Sequence, residues 1–337
     1  MLEKPDFPDE KIITCLQAEY GVPVVRIIFL PLGADQNTAV YRAVDEKACP
    51  YFVKLRRGAF DEISVTLPGF LRNQGISQVI PPGMTRTGQL WACLDPFTLI
   101  LYPFIEGHDG YEMDLPDRQW VEFGAALKGI HSAEVPASLR RKIHQENYSS
   151  KWRSGLMLFL ERIGKDGSDD PLVAELAAFL VPRLDEVHNL IRRTERLAQI
   201  LQTSPLELTL CHADLHAGNI LIGNNGSFHI VDWDAPLLAP KERDLMSIGG
   251  GLFGHWRKPR EETRLFYQGY GKTYVDPAAL AYYRYERIIE DLAVECELIT
   301  SAAAGDKDRE RELRFMKSNF QPGGVLEIAR QSDRAPQ

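Results

Sequence analysis

The spacing of apolar residues changes along the chain, and the change divides it. Residues 8 to 20, PDEKIITCLQAEY, place Ile12, Ile13, Leu16 and Tyr20 at helical spacing behind a proline and acids, with Gly21 as a stop. From Val24 to Leu32 the pattern turns β-branched and apolar, and Ala39 to Val44 and Tyr51 to Leu55 read as further strands. Phe60 to Asn73 is predicted helical, with Pro68 expected to kink or restart it. Gly88 to Leu94 and Phe97 to Phe104 are strands around a turn at Asp95-Pro96. Pro103 then stops regular pairing and Gly107 releases the chain. Beyond it the spacing is helical at 117–131, within 151–163 and 172–201, at 242–248, and at about 260–271, 277–301 and 307–318. Strand character returns only at 206–211 and in two runs, Asn219 to Ile222 and Phe228 to Val231. Gly223-Asn224-Asn225-Gly226 joins those runs, as in a tight hairpin. The last ten residues read as disordered.

A β-rich first third followed by a helical body carrying one hairpin predicts an α+β chain of two lobes. The expected division is 1–105 and 106–330, with a hinge at about 102–107; the second lobe comprises a core, 106–250, and a helical subdomain, 251–330. A length of 337 residues suits two such units. No run of eighteen apolar residues occurs, and MLEKPDFPDE lacks the pattern of a signal peptide, so a cytoplasmic protein without a membrane partner is expected. The five cysteines lack CxxC spacing and read as reduced core residues. A formal charge of −8 disfavours a nucleic-acid partner and suits a cationic one, or an anionic one held through a metal.

The residues with chemistry concentrate in LCHADLHAGNILIGNNGSFHIVDWDAP, Leu210 to Pro236. A tight hairpin folds its ends together, so the loop carrying Asp214 and Asn219 should lie near Asp232. Asn219 and Asp232 offer hard oxygens suited to Mg²⁺ on nucleotide phosphates. Asp214, five residues before Asn219, could take the proton of a hydroxyl attacking a γ-phosphoryl group. Lys54 either points to solvent from an alternating strand or pairs with phosphates; the second role needs an orienting acid, for which Asp61 and Glu62 are candidates and Pro68 a complication. The loop from Leu32 through Gly33 to Thr38 is either a plain hairpin turn or a phosphate cover. His212, Asp214 and His216 also alternate like a strand-borne zinc site with Asp232 bridging, though no further His/Asp cluster completes the shell and Asn219 would be idle. The bland alternative is a set of turn and cap formers, and His212 alone reads as structural. His108, His131, His144, His188, His229 and His255 are isolated and receive no role.

His212-Ala-Asp-Leu-His216-Ala-Gly-Asn219, followed after a hairpin by Val231-Asp232-Trp-Asp234, resembles the signature of the aminoglycoside phosphotransferases. That family shares a bilobal fold with protein kinases and choline kinases. The resemblance extends through Lys54, Tyr102 to Gly107, Ala239 to Gly251 and Tyr282 to Asp291, a run most similar to the spectinomycin 9-phosphotransferases. It implies ATP and Mg²⁺ as cofactors, Asp214 as catalytic base and Asn219 and Asp232 as metal ligands. It further implies Lys54 on the nucleotide phosphates, adenine at the Pro103 carbonyl and Ile105 N–H, and Asp244, with His212, bracing the catalytic loop. Gly33 and Glu62 complete the expected nucleotide set; the Gly33 loop lacks the GxGxxG of protein kinases.

For the acceptor, six tyrosines between 267 and 285 suggest an aromatic wall against a ring. Five acids between 280 and 300 suggest a seat for ammonium groups, with Glu286 and Glu290 on one helix face. The competing reading is a solvated helix face over a tyrosine core. Asp234, Tyr283, Glu286, Glu290 and Asp291 are the candidate acceptor contacts. The expected activity is phosphorylation of an aminocyclitol antibiotic, spectinomycin foremost. A kinase of the same fold for a choline-like amino alcohol or a sugar is the alternative, and a catalytically silent nucleotide-binding module the third possibility.

Overall fold

The computed structural model describes residues 3–33, 37–163, 169–254, 256–301 and 304–334. Ala34, Asp35 and Gln36 of the Gly33 loop, and His255, lie outside the described residues. The chain forms two compact units, 1–143 with 216–236 and 144–215 with 237–337. Contacts thus group it differently from the two lobes expected from sequence: helix Asp117–His131 and the hairpin after Asn219 both fall in the first unit.

The first unit is built on a five-stranded antiparallel sheet. Strands Val24–Leu30, Thr38–Asp45 and Pro50–Arg57 lie side by side, then Phe97–Pro103, then the edge strand Ala92–Leu94. Apolar side chains from alternate positions, including Tyr41, Val53, Leu55 and Leu99, pack on Ile12 and Leu16 of the first helical segment. Burying each such side chain contributes about 1.5–3 kcal/mol. That segment ends at Gly21, whose φ of 72° gives the left-handed stop read from the sequence. Helix Ile63–Asn73 runs unbroken through Pro68, because Val65, Leu67, Pro68 and Leu71 all turn inward and packing outweighs the lost N–H.

The same unit holds the hairpin Ile220–Gly223 and Phe228–Ile230, joined by Gly107–Asp109 as a third strand. That third strand departs from the sequence reading of Gly107 as a release point. A Cβ at Gly107 would stand 2.0 Å from the Ile222 carbonyl oxygen, so only glycine permits the approach.

The second unit is helical. Helix Pro277–Thr300 runs through its core, packed by Lys151–Leu160, Leu184–Thr203, Asp306–Asn319 and Val325–Arg334. The expected helical region 172–201 divides into Pro171–Leu180 and Leu184–Thr203 around Pro182. The C-terminal segment is helical to Arg334 instead of disordered: Leu326 and Ala329 are buried, and Arg193 grips Asp333 with two nitrogens, at 2.6 and 2.8 Å. A three-stranded sheet, His144–Gln145, Leu237–Ala239 and Thr209–Cys211, leads into the loop that carries Asp214. Cys15, Cys211 and Cys296 are buried as expected; Cys49 and Cys93 are exposed.

Candidate active site

In the first unit the hairpin register pairs Ile220 with Ile230, and the Val231 N–H donates to the Asn219 carbonyl at 3.0 Å. Asn219 and Asp232 therefore close the open end of the hairpin together. Asp232 adopts φ 64°, a left-handed conformation uncommon for a residue with a Cβ, though aspartate enters it more readily than most. Lys54 Nζ reaches its Oδ1 at 3.0 Å and Asp234 Oδ2 at 2.7 Å. Arg56, two residues along the same strand face, adds a second cation to Asp234. Only 8% of Lys54 is exposed. Burial alone would lower its pKa, but the Asp232 and Asp234 carboxylates outweigh that and hold the ammonium above its usual value. Lys54 is thus a buried cation serving two carboxylates, and the solvent-facing reading fails. Glu62 does not take part; its carboxylate faces Lys142 at 3.4 Å, with both side chains about half exposed.

The strand register sets the backbone at Pro103. The Phe104 N–H donates to the Pro50 carbonyl at 3.4 Å, so the neighbouring Tyr51–Pro103 pair is the narrow kind without mutual hydrogen bonds. That position suits a proline, and it turns the Pro103 carbonyl away from strand Pro50–Arg57. A cavity of about 440 Å³ adjoins it, lined by Phe104, Ile105, Glu106, Asn224, Asn225, Ser227 and His229. Gly33, at φ 86°, follows the first strand.

In the second unit Asp214 sits just after strand Thr209–Cys211, and its loop is held by its backbone. The fully buried Asp244 carboxylate accepts the His212 N–H at 2.9 Å and the Ala213 N–H at 2.7 Å. Ala213 has φ 70°, a conformation this grip must sustain. The Asp214 N–H donates to His212 Nδ1 at 3.3 Å, and Ser247 Oγ donates to the Leu215 carbonyl at 2.7 Å. His212 is fully buried and bonds its own loop, whereas the Asp214 side chain is 41% exposed. Arg287 Nη1 donates to Asp214 Oδ1 at 2.6 Å, and Arg287 Nε to Asp291 Oδ1 at 2.9 Å.

The acceptor set read from the sequence separates on burial. Tyr283 is fully buried, and Tyr282 and Tyr285 are nearly so; these three rings form core, because helix Pro277–Thr300 is surrounded by other helices, and Tyr270 is also buried. Glu286, 6% exposed, is spent on Arg153, which also binds Glu195 and the Tyr148 carbonyl. Burial pushes Glu286 up to about 7 against the pull of Arg153. Asp234 is engaged by Lys54 and Arg56. Glu290 and Asp291 are part-exposed, on the turn beside Arg287. Two contributors escaped the sequence reading, Arg56 and Arg287. Arg56 stood on the same strand face as Lys54, which was a usable signal; Arg287 lies seventy-three residues from Asp214, and no local pattern links them.

The chain belongs to the phosphotransferase enzyme family, whose sequence profile matches residues 28–283. It is an enzyme, a phosphotransferase with a hydroxyl acceptor, on a protein-kinase-like fold. Among solved structures it is similar to spectinomycin phosphotransferase APH(9)-Ia in complex with ADP and spectinomycin, at 38% identity over 98% of this chain and 99% of that one, TM-score 0.90. The AMP-bound complex of the same enzyme matches at 37% identity over 97% and 99%, TM-score 0.85. An aminoglycoside phosphotransferase from Alicyclobacillus acidocaldarius shares the fold at 12% identity, covering 98% of each chain, TM-score 0.63. No curated protein sequence matches the chain. Among the described residues no helix is long and apolar enough to cross a membrane.

Proposed function

We propose that the protein is an ATP-dependent kinase of an aminocyclitol antibiotic, spectinomycin foremost, and that phosphorylation inactivates the drug. The observation that carries this reading is the 38% identity, over nearly the full length of both chains, to an enzyme solved with ADP and spectinomycin. In this reading residues 1–105 bind nucleotide, with the hinge at about 102–107. Residues 106–330 supply the catalytic loop and the acceptor site.

Adenine would meet the Pro103 carbonyl and the Ile105 N–H, with Gly33 at the phosphate loop. Asn219 and Asp232 would hold Mg²⁺. They fit it: both offer hard oxygens, and Asp232 already receives a cation, the Lys54 ammonium at 3.0 Å. When bound, Mg²⁺ neutralises the charge on the β- and γ-phosphates. Lys54 turns from the aspartates to the phosphates, a short shift for a four-carbon stem. Asp214 accepts the proton of the acceptor hydroxyl as its oxygen bonds to the γ-phosphorus and the bond to ADP breaks. Its braced loop fixes where that proton is taken, which is how positioning lowers such a barrier. Of the acids read as acceptor contacts, Glu290 supplies negative charge for the acceptor's ammonium groups, while the Asp291 carboxylate is held by Arg287. Glu62 has no part in orienting Lys54 here.

The test is turnover of Mg·ATP across spectinomycin, several aminoglycosides, choline and simple sugars. Phosphorylated spectinomycin is the expected product. Turnover of choline or a sugar with no antibiotic phosphorylated would overturn the substrate assignment. Nucleotide binding with no acceptor phosphorylated would overturn the proposal in favour of a silent module.

A further inference from the structure

We propose that Arg287 is a positioning residue for the catalytic base, clamped between Asp291 and Asp214 so that the Asp214 carboxylate is held in one orientation. The proposal rests on the reading of Asp214 as the base. The Asp214 loop is braced by Asp244 and Ser247 through its backbone. The Asp214 side chain is 41% exposed. The Arg287 guanidinium supplies the constraint from helix Pro277–Thr300. Nη1 holds Asp214 Oδ1 at 2.6 Å while Nε is itself anchored on Asp291 Oδ1 at 2.9 Å, one helical turn further along.

A planar guanidinium reaches two carboxylates along two different edges, and each bond fixes the plane for the other. A lysine ammonium lacks that planarity. Arg287 is charged throughout: burial alone would lower its pKa, but Asp291 and Asp214 outweigh burial and, with Glu290, hold it above its usual value. Beyond Asp291 on the same helix lies Glu295, pushed up to about 9 by burial and by Asp291 and Glu312. The arrangement is a chain of carboxylate, guanidinium and carboxylate that ends on the reacting group.

The experiment compares steady-state phosphate transfer by the wild type, Arg287→Ala, Arg287→Lys and Asp291→Asn, each with and without added methylguanidinium, alongside melting curves. Arg287→Ala is expected to lower kcat about 100-fold, with the KM for ATP within about twofold of wild type. Methylguanidinium should restore about tenfold of that loss in Arg287→Ala and nothing in the wild type. Arg287→Lys should recover only a minor share, and Asp291→Asn should lower kcat about tenfold by loosening the anchor. A purely structural ion pair would lower the melting temperature and leave kcat of the folded protein intact; that result overturns the proposal. So does a rise in kcat, a loss confined to the acceptor KM, or a folded Arg287→Ala that methylguanidinium does not rescue. Should Arg287→Ala fail to fold, kcat of Arg287→Lys at an unchanged melting temperature decides: a large loss supports the clamp and wild-type kcat overturns it. A wild type that phosphorylates no hydroxyl overturns the reading of Asp214 itself, and is distinguished by being visible before any variant is made.

Discussion

Asp244→Asn isolates the brace beneath the loop that carries Asp214. Asp244 is fully buried and its two carboxylate oxygens each accept one main-chain N–H, from His212 at 2.9 Å and from Ala213 at 2.7 Å. An asparagine keeps one acceptor and places an NH₂ where the other was, so one buried N–H faces a donor. A hydrogen bond to a charged group contributes about 1.5–3 kcal/mol, and an orphaned buried donor costs about 1–3 kcal/mol. Ala213 at φ 70° stores strain of about 1–3 kcal/mol that the brace sustains, and relaxing it returns part of the loss. A net destabilisation of about 2–4 kcal/mol follows. Relaxation of Ala213 also rotates the peptide next to Asp214, so kcat should fall about 10- to 100-fold while the KM for ATP holds, since Asp214 does not touch nucleotide in the proposed mechanism. Denaturant unfolding measures the first quantity and steady-state transfer the second. A variant with wild-type unfolding midpoint and wild-type kcat would refute the bracing role; lost stability with intact kcat would show that the brace holds the fold but does not aim the base.

Gly107→Ala should cost about 3 kcal/mol in denaturant unfolding, because a Cβ 2.0 Å from the Ile222 carbonyl forces the third strand off the hairpin; an unchanged midpoint would contradict that close approach. Glu295, whose Oε2 has no hydrogen-bond partner and whose pKa is raised to about 9 from an ordinary 4.5, sets a pH dependence. The folded state binds this proton more tightly than the unfolded chain does. Its contribution is therefore complete below about pH 4.5 and is lost as pH rises through about 9, at a limiting slope of about 1.4 kcal/mol per pH unit. Melting curves from pH 5 to 9 should decline for the wild type and flatten for Glu295→Gln; parallel curves would exclude a buried protonated Glu295.

The hairpin and the long helices were legible because period and turn residues are local signals: Gly223 to Gly226 can hardly be other than a turn, and Asp117–His131 is helical over the span its pattern marked. The loop residues His212, Asp214, Asn219 and Asp232 were legible as oxygen and nitrogen donors too polar and too closely spaced for a core. What was not legible is the choice each side chain makes between core and site. Clustered tyrosines look alike in sequence whether they wall a pocket or fill one, and a helix covered on most sides buries Tyr282, Tyr283 and Tyr285 alike. Glu286 and Glu290 differ by one turn, yet Arg153 captures the first. Pairings such as Lys54 with Asp232 and Arg287 with Asp214 join residues 178 and 73 positions apart, and only the folded backbone brings them together.

The central claim is that Asp214 takes the acceptor's proton during transfer from Mg·ATP. The direct measurement is the single-turnover rate of labelled γ-phosphate transfer to spectinomycin by the wild type and by Asp214→Asn, with ATP affinity determined in parallel. Asp214→Asn should transfer about 1000-fold more slowly, equivalent to about 4 kcal/mol of transition-state stabilisation, with ATP affinity unchanged. Transfer by Asp214→Asn within about tenfold of the wild type would contradict the claim.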